Sequence, residues 1–172
     1  MSTRGFIGMR RNGEVRVTYN HSDSYPSWLG SKTLEYIRRA DVEADAEKFF
    51  ALPIVDEHTG PTPEQAADLK ARGFWAGVSD SLDWYAHLRE TQGDIPSMIA
   101  SGYLLTMPNA VLTTKDIFME WGYVIDVDAK ELVVYEGQDS GPAVVARYTF
   151  DVVRHMFFDP DVAVATLEPT DD

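Results

Sequence analysis

The chain of 172 residues carries 28 Asp and Glu against 15 Lys and Arg, a formal net charge of −13, and has no cysteine. A single domain of this length buries about 70% of its unfolded surface and folds without staples, while the absence of thiols excludes disulfides and thiolate metal sites. An acidic surface repels phosphate backbones, which disfavours direct nucleic-acid binding, and no apolar run reaches signal-peptide or membrane-helix length, so a soluble cytoplasmic protein with no membrane association is expected.

The first strong signal is residues 3–11, then Asn12-Gly13, then residues 14–19. Asn-Gly supplies the two positive-φ residues of a type I′ turn, so two strands open the protein, with Val15 and Val17 on one face of the second. Residues 20–30, NHSDSYPSWLG, form a polar and aromatic loop of the kind that carries function when a rigid hairpin holds it. His21 and Asp23 suit an acid–base or metal pair, and Tyr25 and Trp28 suit pocket walls. The alternative reading leaves Asn20, Ser22, Asp23 and Ser24 satisfying loop backbone while Tyr25 and Trp28 fill core.

Leu34, Ile37, Ala40 and Ala44 follow helical spacing over residues 31–50, which predicts one long helix or a broken pair. Asp41, Glu43, Asp45 and Glu47 place like charges at i,i+4 there, so that face is expected to be solvated or turned toward a basic partner. Residues 53–61 read as a loop. Thr62-Pro63-Glu64-Gln65 is a capping-box helix start with Gly73 as the stop. A third helix is predicted from an Asp80 cap to Gln92, lined by Leu82, Tyr85 and Leu88, with His87 structural or exposed, and a fourth lies between Asp94 and Gly102. Residues 103–115 are weakly patterned.

Residues 118–137 have strand composition on both sides of one turn. Trp121, Tyr123, Ile125 and Val127 alternate with Gly122, Val124, Asp126 and Asp128, and Leu132 to Tyr135 follow the turn, giving a second hairpin. Apolar groups on both faces of its first strand indicate a central position. Asp126 and Asp128 stand about 7 Å apart by strand rise, near enough to share a cation, but a D-x-D running into a turn is better read as turn capping. A strand over residues 143–150 and a short helix follow, residues 162–167 offer an edge strand, and residues 168–172 form a mobile acidic tail.

The expected fold is therefore α+β: one domain over residues 1–167, an antiparallel sheet built from hairpins, and three to four helices packed on it. The expected core contains Phe6, Ile7, Leu34, Ile37, Leu82, Tyr85, Trp121, Tyr123, Ile125 and Val134. Charge is uneven: residues 1–39 hold seven bases and three acids, residues 40–172 eight bases and 25 acids. That asymmetry points either to plain solubility or to an acidic face that meets a basic or nucleic-acid-binding protein.

The blocks Thr3-Arg4-Gly5-Phe6-Ile7-Gly8, Tyr19-Asn20-His21-Ser22-Asp23-Ser24-Tyr25-Pro26 and Glu120-Trp121-Gly122-Tyr123-Val124-Ile125-Asp126-Val127-Asp128 resemble a set of small uncharacterised proteins of actinobacteria and their phages. The resemblance implies a single domain and an actinobacterial or phage source, and carries no activity. The N-terminal layout is also similar to N-terminal-nucleophile hydrolases, including the choloylglycine hydrolase type. That likeness implies an α/β/β/α sandwich in which Ser2, after removal of Met1, is the nucleophile and Asn20 and Asp23 orient the amine and substrate. Here two residues separate Asn20 from Asp23 and Tyr19 precedes Asn20, where the hydrolase pattern has one residue and an arginine. No phosphate-loop, dinucleotide, zinc-protease or nucleophile-elbow motif is present, and no metal or cofactor is expected. The leading expectation is a phage-encoded acidic interaction protein that binds a protein partner without catalysis, with His21, Asp23, Tyr25, Trp28 and the four acids of residues 41–47 as contacts. The alternative is the Ser2 amidohydrolase.

Overall fold

Asn12 and Gly13 both have positive φ (52° and 76°), so β1 (Gly5–Arg11) and β2 (Glu14–Asn20) fold back in register, from Gly5 opposite Asn20 to Arg11 opposite Glu14. This computed structural model describes residues 3–75, 83–108, 112, 119–155, 162–163 and 167. Strand β5 (Trp121–Asp126) and strand β6 (Glu131–Gln138) form the second hairpin, and β7 (Gly141–Thr149) extends it. The sheet order is β2-β1-β5-β6-β7. Between these elements come β3 (Ile54–Val55) and β4 (Leu104–Leu105), a two-residue parallel pair outside the main sheet.

The sheet expected to be antiparallel throughout is mixed, because β1 pairs with β5 in parallel, Gly5 opposite Trp121 and Arg10 opposite Asp126. The physical reason lies in burial. All six residues of β5 and the first five of β1 are buried, and strands apolar on both faces are satisfied only at the centre of a covered sheet. Placing the two hairpins side by side through these strands achieves that for both.

One sheet face carries Ile7, Met9, Tyr123, Ile125, Leu132 and Val134, packed against helices α1 (Ser31–Arg39), α2 (Val42–Ala51) and the later α5 (Ile95–Ser101) and α6 (Phe150–Arg154). On the other face Phe6, Val17, Val124 and Val133 form a second cluster with Met119. Gly122 sits under the Phe6 ring, where an added Cβ would lie 2.0 Å from the ring carbon Cζ. The glycine is there for close approach.

The stretch 31–50 is the broken pair. Ala40 is extended, and Asp41 restarts the helix by accepting from the Ala44 N–H at 3.1 Å. Helix α3 (Pro63–Ala71) shows the complete Thr62–Gln65 capping box, and α5 is capped by Asp94 and closed by left-handed Gly102. The third helix is shorter than expected: α4 (Trp84–Leu88) is capped by Asp83, followed by a 3₁₀ turn over Arg89–Thr91. Asp80 and Leu82 lie outside the described residues. His87 is buried, with Nδ1 3.2 Å from the Phe74 carbonyl oxygen. Of the expected core, Phe6, Ile7, Leu34, Ile37, Trp121, Tyr123, Ile125 and Val134 are buried, whereas Tyr85 is half-buried. The six helices and the strands among the described residues make the fold α+β. The edge strand at 162–167 falls mostly, and the tail at 168–172 wholly, outside the described residues. Among the described residues no helix is long and apolar enough to cross a membrane.

Candidate functional site

The loop after β2 is pinned from three directions. The buried Asn20 amide donates to the Ser22 carbonyl at 2.5 Å and to Ser24 Oγ at 2.7 Å. Ser24 N–H donates to the Thr3 carbonyl at 3.3 Å, and the buried Tyr123 hydroxyl donates to the Ser24 carbonyl at 3.0 Å. Extended Tyr25 then leads into a π-helical turn, Pro26–Gly30, that runs directly into α1. Such turns are rare and recur at functional sites.

This geometry sorts the expected loop residues. His21 Nδ1 lies 2.5 Å from Gln92 Oε1, and His21, Trp28, Lys32 and Arg89 line a polar pocket of about 170 Å³. Asp23, exposed on left-handed backbone (φ 50°), and Tyr25 do not line it. Of the two residues expected to pair around one pocket, His21 lines it with Gln92, and Asp23 is exposed outside its lining. Asn20 itself acts as loop scaffold; Ser2, the nucleophile of the hydrolase reading, lies outside the described residues.

The acids of α2 are answered from within the chain. Glu47 pairs with Arg11 at 3.0 Å, Glu43 with Arg154 at 3.6 Å, and Asp45 accepts from Lys48 at 3.1 Å and from the Tyr36 hydroxyl at 3.0 Å. Burial, then the Asp45 charge, push the Tyr36 phenol far above its ordinary range, so it stays a donor. Asp41 is the helix cap. Asp41 and Glu47 are exposed and Glu43 is partly so, as a solvated face requires; helix propensity and charge spacing do not reveal that Arg11 and Arg154 fold against it.

The D-x-D pair does turn chemistry. Asp126 accepts from the Ala129 N–H at 2.9 Å and faces Arg10 at 3.4 Å, and Asp128 accepts from the N–H groups of Asn12 and Gly13.

One concavity was not anticipated. A cavity of about 650 Å³ lies between the end of β2, the β3–β4 pair and the helices α4 and α5. Met107 N–H donates to the Val17 carbonyl at 2.8 Å, and this single bridge swings the chain after β4 across to β2 as a side wall. Leu88, Met98, Leu104, Met107 and Met119 give an apolar lining, Thr18, Tyr85 and Gln92 add polar edges, and Asp56, Glu57 and His58 stand exposed at the rim. Gln92 lines both this cavity and the polar pocket. The sequence held one hint, the Met and Tyr content of the weakly patterned segment after Gly102.

No protein-family model, no curated protein and no solved structure matches this chain.

Proposed function

We propose that this is a non-catalytic binding protein whose ligand is a small, mainly apolar molecule held in the cavity between β2, β4 and α4–α5. The cavity itself carries the reading. At about 650 Å³ it falls within the roughly 300–1,000 Å³ typical of small-molecule sites, and an apolar wall with a few convergent polar groups is their usual composition. Three methionines in the lining adapt to ligand shape at little cost. Two of the hydroxyls in the wall are already committed: Thr18 donates to the Ile7 carbonyl at 3.0 Å and Thr91 to the Leu88 carbonyl at 2.7 Å. They shape the wall rather than react.

A second reading, association with a basic or nucleic-acid-binding protein, rests on the net charge of −13. With the α2 acids paired internally, such a contact would draw on acids elsewhere, including Asp56 and Glu57 at the cavity rim. Its signature is an association rate that falls steeply with salt.

The cavity reading is tested by titrating a neutral, environment-sensitive apolar dye into the protein and into Thr106→Trp, a half-buried wall position. Saturable one-to-one binding that weakens at least tenfold in a variant with an unchanged melting temperature supports it. Absence of saturable binding, or equal affinity in the folded variant, contradicts it.

A further inference from the structure

We propose that the polar pocket beside the 20–30 loop is a binding site for a small oxyanion, a carboxylate or phosphate group. The observation is that two bases without an ion pair among the described residues line one pocket. In a chain with almost twice as many acids as bases, seven arginines, among them Arg11 with Glu47 and Arg154 with Glu43, are ion-paired to carboxylates. Lys32 and Arg89 both line this pocket, and neither has a carboxylate within ion-pair distance among the described residues. Their contacts are with aromatic rings instead: the Lys32 ammonium is 6.0 Å from the Trp28 ring centre and the Arg89 guanidinium 6.0 Å from that of Tyr85.

The Nε of Arg89 is buried and has no hydrogen-bond partner among the described residues. A buried donor without a partner is costly and calls for an explanation, of which an unfilled ligand position is one. His21 is oriented by Gln92 at 2.5 Å; with the amide oxygen accepting, Nδ1 carries the hydrogen. The one acid in the wall is exposed Glu90, which opposes an anion and so predicts its own test.

Size sets the ligand class. About 170 Å³ is the volume of about five or six waters, enough for an oxyanion with part of its hydration and too little for a nucleotide. The pocket shares Gln92 with the apolar cavity, but Lys32 and Arg89 line only the polar one, so the two sites can be tested separately.

The experiment follows the His21 ring and Trp28 indole resonances during titration with inorganic phosphate and, separately, with acetate. Sodium chloride provides the ionic-strength control and tetramethylammonium the opposite charge. Saturable shifts with either oxyanion, at least tenfold weaker in Lys32→Ala and Arg89→Ala and tighter in Glu90→Gln, support the site; which anion acts distinguishes a phosphate from a carboxylate ligand. Lys32 is exposed, so its variant tests the site even where Arg89→Ala fails to fold. No saturable shift with either anion, an unaltered affinity in Lys32→Ala, or an equal response to tetramethylammonium overturns it.

Discussion

The Asp128 carboxylate accepts the main-chain N–H of Asn12 at 2.7 Å and that of Gly13 at 2.9 Å, joining turns that are 116 and 115 residues apart in the chain. Parallel pairing of β1 with β5 is what makes this possible, since it brings the tips of both hairpins to the same end of the sheet. Arg10 opposite Asp126 reinforces the same register. Asp128 is thus the clasp between two locally encoded hairpins.

The two N–H donors favour the ionised carboxylate and hold Asp128 below the ordinary aspartate range. A depressed folded-state value means that the stabilisation is complete above the unfolded value of about 4 and is lost as pH falls through the folded value. In urea melts, Asp128→Asn should be less stable than the parent at pH 7, and the gap should close toward pH 2. A gap of the same size at every pH would contradict the clasp.

Gly122→Ala should cost about 1–3 kcal/mol, the usual range for overpacking a filled core, because the new methyl meets the Phe6 ring. Phe6→Leu in the same chain should recover part of that loss. The check is a double-mutant cycle in denaturant; strictly additive penalties would mean that the ring and the glycine do not share the space.

Within α2 the four acids separate by role. Asp41→Ala removes a cap and should cost about 1 kcal/mol, whereas Glu43→Gln and Glu47→Gln break exposed pairs worth at most about 1 kcal/mol each. Thermal melts give the ranking, and the reverse order would show that capping is not what Asp41 supplies. Neither the parent nor these variants should bind duplex DNA at physiological salt, as a gel-shift titration would show.

Much of this architecture could be read from local chemistry. Asn12-Gly13 declared a hairpin because few dipeptides tolerate two positive φ values, and Thr62 with Gln65 declared a helix start because both partners of the cap lie within one turn. The two-sided burial of β5 was visible in the alternation around Tyr123 and Ile125. The parallel contact of β1 with β5 was not, because no local pattern encodes which strands of separate hairpins meet. For the same reason Arg11 and Arg154 could not be foreseen beside α2. The loop at 20–30 was recognisable as a candidate site from its composition, yet Gln92 and Arg89, which complete its pocket, come from about 60 residues further along. The apolar cavity was the least legible feature: its walls come from β2, the β3–β4 pair, α4 and α5, and the Met107–Val17 bridge that closes it is one hydrogen bond.

The central claim is that an apolar ligand enters that cavity, and methionine methyl resonances report on it directly. Met98, Met107 and Met119 line the cavity, while Met9 is fully buried in the core on the other side of β1 from Phe6. With ¹³C-methyl methionine, titration of a neutral apolar probe should shift Met98, Met107 and Met119 saturably and leave Met9 in place. Unmoved resonances at all four, or shifts as large at Met9 as at the cavity methionines, would contradict the account.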